Sequence, residues 1–319
     1  MTPDLDPILT VTLNPALDLS ARIDVLVAGP KLRLEAPVWE PGGGGVNVAR
    51  AIRELGGSAR AWVALAGASG AQHLALMERE GLAVHVFDAP GETRATWAIT
   101  DAQGQQFRLQ LPGPDWSAEL GPAALADIVA QARGLVVLSG SQPPGLSASF
   151  VQDLARTLGA GRLVVDTSGA ALRRLVEYPA TDAQPFLLRL DQAESEGLAG
   201  QALSALGDSL AFALALVARG VAETVCLARG AEGSVLAGRD GTAWHCRPPE
   251  VRVASKVGAG DSFTGAFVLA LARRAPLHEA LRLGTAAAAA AVMTEGTALC
   301  RNSDVQRLVP QCVLHALAS

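Results

Sequence analysis

The chain has 319 residues, of which 50% are hydrophobic, 18% charged and 4% aromatic, and 26 Lys and Arg against 31 Asp and Glu leave a net charge of −5. So much apolar sequence over this length excludes a disordered chain and a disulfide-stapled miniature fold. The acidic balance excludes a non-specific nucleic-acid binder, which needs a basic surface to displace counterions, although a few local cations suffice to hold a small anion.

In chain order, residues 1–7 carry Asp4 and Asp6 where a secretion signal needs positive charge followed by an apolar run, so a cytoplasmic location is expected. Residues 8–13 alternate β-branched and apolar side chains and read as a buried strand that Asn14-Pro15 breaks. Asp18 follows just past it, at the carboxyl edge where open α/β sheets bind ligands; a solvated turn carboxylate is the alternative. Lys31 is one of only two lysines, and beside a phosphate it would act as a mobile point charge. Four glycines, 42–45, precede a helix expected over residues 46–55. Glycine lets a ligand approach the backbone, and the helix start offers free N–H groups. Asn47 adds a side chain that both donates and accepts toward hydroxyls. The run has neither the G-x-G-x-x-G nor the G-x-x-x-x-G-K-[ST] spacing, so neither dinucleotide nor P-loop binding is indicated; a plain flexible turn competes with the ligand-binding reading.

Short apolar runs then recur at 61–65, 135–138, 163–165, 186–188 and 224–227, alternating with helical stretches such as 123–132, 148–158 and 206–219. This alternation predicts βαβ units, with a mostly parallel central sheet covered by helices on both faces. Residues 94–100 and 105–111 flank turn residues 101–104 and read as a hairpin. With Val38 and its neighbours they would form a small projecting sheet, either a lid that excludes water from a reacting phosphate or an ordinary surface hairpin. Ser141 lies in a rigid Ser-Gly-Ser-Gln-Pro-Pro-Gly turn after the strand at 135–138, where a binding and a structural role are equally open. Residues 211–227 are apolar but interrupted by Arg219 and Glu223, which excludes a membrane span. The four cysteines have no metal-ligand spacing and fit buried thiols in a reducing compartment.

Val257-Gly258-Ala259-Gly260-Asp261-Ser262 precedes a helix expected over residues 263–273. Gly258, Ala259 and Gly260 can turn successive N–H groups toward one point, an anion-binding concavity of the kind phosphoryl transfer needs. Asp261 at that mouth would accept a proton from an attacking alcohol, or Asp261 or Ser262 would simply cap the helix. An alanine-rich helix follows over residues 277–293.

Together, Asn-Pro-x-x-Asp, Gly-Gly with Asn-Val-Ala, Ser-Gly-Ser-x-Pro-Pro-Gly and Gly-Ala-Gly-Asp, in this order over nearly the whole chain, resemble the PfkB (ribokinase-like) carbohydrate kinase family. Within it, Lys31-Leu32-Arg33, the segment 40–50 and Gly296-Thr297-Ala298-Leu299-Cys300 are most similar to the isozyme II branch of 6-phosphofructokinases. The resemblance implies a three-layer ribokinase-like sandwich over residues 1–319, with lid strands around 31–41 and 94–111. It implies ATP-dependent phosphorylation of fructose 6-phosphate at the 1-hydroxyl, with Mg²⁺ and a monovalent cation as candidate cofactors and a homodimer built through the lid. Asp261 would be the base, the N–H groups of Gly258, Ala259 and Gly260 would hold the transferred phosphoryl charge, and Lys31 would bridge the phosphates. Asp18, Gly43, Gly44, Asn47 and Ser141 would face the sugar and Arg94 its 6-phosphate. Ala228, Gly230 and Gly233 would line the nucleotide site, and Glu194 of an Asn-x-x-Glu-like motif would act on the metal. The chain departs from the branch at Arg189 and Asp191, where the branch has Lys and Asn, and at Lys256, where a small hydroxyl residue is common in the family. Asp191 is therefore expected to repel a triphosphate unless Arg189, Lys256 or the metal neutralises it. The alternatives are a kinase for fructose 1-phosphate or tagatose 6-phosphate, in which a lysine usually interrupts the glycine run, and a non-catalytic sugar-phosphate sensor.

Overall fold

Ile8–Thr12 (β1) is buried at all five positions, as an apolar run flanked by strands on both edges and layers on both faces must be. It is an inner strand of a ten-stranded sheet in the computed structural model, which describes residues 6–318. Its parallel partners are β4 (Arg60–Leu65) and β8 (Leu135–Ser139). Beyond β4 lies β5 (Ala83–Asp88). Beyond β8 follow β9 (Leu163–Asp166), β10 (Leu187–Leu190) and β11 (Thr224–Ala228), all parallel. The far edge is antiparallel: β12 (Ser234–Gly238), β13 (Ala243–Arg247) and β14 (Val313–Ala316).

Strand residues alternate between two apolar clusters. Val136, Leu138, Leu163 and Val165 pack with α3 (Leu120–Gln131), α4 (Phe150–Leu158), α5 (Gly169–Glu177) and α7 (Leu206–Ala218). Val137 and Val164 pack on the opposite face with α1 (Gly44–Glu54), α8 (Ala259–Ala272), α9 (Leu277–Ala291) and α10 (Asn302–Leu308). Helix α2 (Gly67–Arg79) closes a smaller cluster through Met77, and α6 (Gln192–Ala199) follows β10. The result is the three-layer α/β sandwich that the alternation of elements predicts. Among the described residues no helix is long and apolar enough to cross a membrane.

A second, four-stranded sheet has the order β3-β2-β6-β7, with β2 Ala16–Arg22, β3 Val38–Gly42, β6 Arg94–Thr100 and β7 Gln106–Gln110. The hairpin β6–β7 lies where the sequence places it. Strand β2 was not expected: after Asn14-Pro15 the chain continues into an inner strand of this sheet. It pairs parallel with β6 from Ala16 to Arg22 and antiparallel with β3 from Ala16 to Ser20. Asp18 therefore stands on a strand, not in a turn. Residues 31–37 have no regular structure.

Register sorts this sheet into two faces, because alternate side chains point to opposite sides. Asp18 opposes Thr96, which opposes Gln110; Leu19 opposes both Trp39 and Trp97, and Trp97 opposes Leu109. One face is polar and turns toward the main body. The other carries an apolar stripe.

Candidate active site

Helix α8 starts four residues earlier than its sequence suggests. Gly258 precedes it at φ 77°, a left-handed conformation that only glycine adopts freely, so Ala259, Gly260 and Asp261 form the first turn. These first N–H groups have no intrahelical partner, and they lie at the positive end of the helix dipole. No side chain caps the helix. Asp261 instead accepts a hydrogen bond from Asn47 Nδ2 at 3.0 Å, and Ser262 Oγ accepts one from the Cys300 N–H at 3.2 Å. The capping role open in the sequence is thus not the one these side chains take.

Asn47 sits in the first turns of α1, behind the tetraglycine segment. Gly43, at φ 114°, passes Thr12 and Pro15 so closely that a Cβ would approach Thr12 Cγ2 to 2.7 Å. Two helix mouths, α1 and α8, thereby converge below the polar face of the small sheet. Between them is a cavity of about 280 Å³, lined by Asp18, Thr96, Arg94, Arg108 and Gln110 from the sheet and by Gly43, Asn47, Lys256, Gly258 and Asp261 from the body. A trough of about 1170 Å³ continues from it, between the sheet and the segments 252–257 and 295–298.

The site concentrates strained charge. Burial raises the Asp261 carboxyl to about 7, reinforced by the nearby Asp166 carboxylate and opposed by the Asn47 hydrogen bond and Arg189. Burial likewise lifts Asp18 to about 6; Arg94 holds it down and Glu40 pushes it up. Two carboxyls pushed upward in one cleft are the pattern that catalytic acids and bases share, which makes this cleft the candidate site. Arg94 donates from Nε to the Asn14 carbonyl at 3.3 Å, and burial lowers its pKa.

A second group lies under the first turn of α8. A Cβ at Gly260 would come within 2.8 Å of Arg189 Nη1, whose guanidinium pairs with Asp166 at 3.4 Å. Thr264 Oγ1 donates to Asp166 Oδ2 at 3.0 Å, an oxygen that Arg189 also reaches. Asp191 does not point its carboxylate freely at this space: it caps α6. Its Oδ1 accepts from the Glu194 N–H at 2.7 Å, and Glu194 Oε2 accepts from the Asp191 N–H at 2.9 Å. This reciprocal box gives the Asp191 carboxylate a structural role at the start of α6. Burial raises Glu194 to about 7, helped by the Asp191 and Asp166 charges. Among the described residues no group of three or more His, Cys, Asp or Glu converges as a metal cage. The oxygen donors present suit Mg²⁺, which keeps water and phosphate ligands and takes few direct carboxylates.

Other expected residues lie apart from the cavity. Lys31 is exposed on the irregular segment 31–37. Gly44 begins α1, where a Cβ would collide with Ser139 and Gly140. Ser141 Oγ accepts from Asn14 Nδ2 at 3.2 Å. Ala228 ends β11, and Gly230 lies near the start of α6, where a Cβ would sit 3.5 Å from Gln192 Oε1. Gly233, at φ 89°, packs against the Cys246 carbonyl. Sequence reasoning missed Thr96, Arg108 and Gln110, although strand alternation from Arg94 would have put Thr96 on the same face. It also missed Asp166, a carboxylate at the carboxyl end of a strand.

Residues 12–304 match the pfkB family carbohydrate kinase. The chain is 35% identical to the ATP-dependent 6-phosphofructokinase isozyme 2 of Mycobacterium tuberculosis over 94% of its length and 88% of that protein. It is 34% identical to the Escherichia coli protein of the same name over 94% and 97%, and 32% identical to the 1-phosphofructokinase of Xanthomonas campestris over 98% and 96%. Crystal structures of E. coli phosphofructokinase-2 superpose over 96% of this chain and 99% of theirs, with potassium (TM-score 0.87, 34% identity) and with fructose 6-phosphate (0.86, 33%), and one describes a tetrameric inhibited form (0.86, 33%). With its ribokinase-type sandwich, glycine-lined helix mouths and shared cleft, this chain belongs to the pfkB family of carbohydrate kinases, phosphotransferases that act on sugars.

Proposed function

We propose that the protein transfers the γ-phosphoryl group of ATP to the 1-hydroxyl of fructose 6-phosphate, giving fructose 1,6-bisphosphate and ADP. The observation that carries this reading is the hydrogen bond between Asn47 and Asp261, which joins the glycine-lined mouth of α1 to that of α8 in a cleft floored by one carboxylate. Asp18, Gly43 and Asn47 hold the sugar hydroxyls, and Arg94 binds the 6-phosphate from the polar face of the small sheet. Asp261 takes the hydroxyl proton as the oxygen attacks the γ-phosphorus. The bond from that phosphorus to the β–γ bridging oxygen breaks, and ADP leaves with its electrons. The free N–H groups of Gly258, Ala259 and Gly260 stabilise charge on the equatorial oxygens.

The nucleotide lies toward Arg189 and the turn 228–233, and Lys256, which lines the cavity, adds positive charge around the phosphates; Lys31 joins them only if the exposed segment 31–37 folds over the site. Glu194 would hold a Mg²⁺ ion, directly or through water, and that ion would supply positive charge to the triphosphate. The potassium complex of the relative supports a monovalent cation as a further cofactor. Four buried free thiols support a reducing, cytoplasmic setting.

Two measurements test the reaction. A coupled ADP-release assay over hexose monophosphates should rank fructose 6-phosphate first; a preference for fructose 1-phosphate or tagatose 6-phosphate would replace the substrate, and binding of sugar phosphate without any ADP release would replace the enzyme with a sensor. Replacing Asp261 by Asn should cut kcat by about 10²–10⁴ with little change in KM, the usual contribution of a positioned base. In the unaltered enzyme, kcat/KM should rise as pH passes about 7, because only the ionised Asp261 accepts a proton.

A further inference from the structure

Arg50 does not line the cavity, yet every nitrogen of its guanidinium is engaged by a side chain. Its three nitrogens go to three different partners: Nε to Glu80 Oε2 at 2.7 Å, Nη2 to Glu40 Oε1 at 2.9 Å, and Nη1 to Asn47 Oδ1 at 3.3 Å. The side chain is only 13% exposed, against 20% for Glu40 and 30% for Glu80. Glu40 is itself held by the Thr297 hydroxyl. Carboxylates from β3 and from just beyond α2 therefore pin one arginine of α1 from both sides.

The consequence falls on Asn47, one helical turn earlier on the same face. A carboxamide has a donor end and an acceptor end that exchange by a half-rotation. A guanidinium only donates, so the end of Asn47 facing Arg50 is the carbonyl, and the end facing Asp261 is the amide N–H. With the opposite rotation, a carbonyl oxygen would confront the Asp261 carboxylate and the amide would confront a cation. We infer that Arg50 is a positioning residue, which fixes the rotation of the Asn47 side chain so that it donates to the base. The inference rests on the reading of Asp261 as the base.

The charged groups around this chain of contacts are few. Asp261 is faced by Asp166 from β9, Arg189 from β10 and Asp18 from β2; Arg50 is faced by Glu40 and Glu80, and His73 of α2 lies near it. Burial works against the arginine's charge, but the hydrogen bonds and charges of Glu80 and Glu40 more than reverse this and raise its pKa. The guanidinium thus stays charged at every pH at which the enzyme is assayed.

The test is a double-mutant cycle on kcat combined with the pH profile. Arg50→Lys keeps the charge but cannot reach three partners at once. It should lower kcat about tenfold and move the acid limb of kcat/KM up by about one pH unit, the scale of one hydrogen bond to a carboxylate. Asn47→Ala should move the limb in the same direction, and adding Arg50→Lys to it should change neither kcat nor the limb further. Full additivity, or an unshifted limb in Arg50→Lys, overturns the inference. If Arg50→Lys does not fold, Glu80→Gln, at the more exposed end, replaces it with the same expected non-additivity. Asp261→Asn in parallel separates the two claims: its near-normal turnover defeats the base assignment, whereas an inactive Asp261→Asn beside an additive cycle defeats only the role of Arg50.

Discussion

Arg94 shows how much a single residue's register can decide. It opens β6 opposite Ala16, so its guanidinium projects from the polar face of the small sheet, near enough to Asp18 for each charge to bias the other's ionisation. An arginine held there presents a planar fork suited to a phosphate monoester. Replacing Arg94 by Ala should therefore raise KM for fructose 6-phosphate about 10-fold or more, the scale of a charge-assisted hydrogen bond, while any turnover of free fructose changes little. Equal losses on both sugars, measured by the same coupled assay, would mean that Arg94 does not read the phosphate. Arg108, on the neighbouring strand β7 and lining the same cavity, had no motif to draw attention to it; only the pairing of β7 with β6 brings it there.

Among the elements, α6 gives the Asp191 departure a structural role. Its carboxylate closes a capping box with Glu194 at a helix N-terminus, where the positive end of the helix dipole offsets part of its charge. Asn and Asp rank alike as helix caps. Asp191→Asn should accordingly leave both thermal stability and ATP affinity near their original values, whereas Asp191→Ala should destabilise the fold by about 1 kcal/mol, as read by denaturant unfolding. A marked gain in ATP affinity in the Asn variant would mean that Asp191 repels the triphosphate. Helix α8 carries a similar lesson. Its first turn holds Ala259, Gly260 and Asp261 because the left-handed Gly258 ends the preceding segment, and a helix starting later, as hydrophobic spacing alone suggests, would have left Asp261 outside the first turn.

At the scale of the whole molecule, the small sheet has one face spoken for and one left open. Leu19, Trp39, Trp97 and Leu109 run across all four strands in register, with Trp97 41% and Leu109 51% exposed. A stripe of large apolar side chains on a sheet face is covered by a partner more often than by water, and a second copy of the same sheet is the occupant that a two-fold assembly supplies. The homodimer implied by the resemblance predicts a mass of two chains by light scattering, falling to one chain in Trp97→Glu. A dimer that persists in that variant places the interface elsewhere.

Composition and the alternation of apolar runs determined the class of fold, because strands buried on both faces must be continuously hydrophobic and helices between them must be amphipathic. The order of the glycine-rich segments determined the family, since close approach of backbone to an anion leaves glycine no substitute. Asp18, Gly43, Asn47, Arg94, Gly258 and Asp261 were all legible in that way, and they share one cavity. What tertiary structure alone decided is every relation between residues distant in the chain: that Asn47 meets Asp261 across 214 positions, that β2 lies between β3 and β6 and so turns Asp18 inward, that Asp166 sits beneath α8, and that Arg50 is caught between Glu40 and Glu80. These depend on strand order and register, which local hydrophobic pattern constrains only to a choice of face.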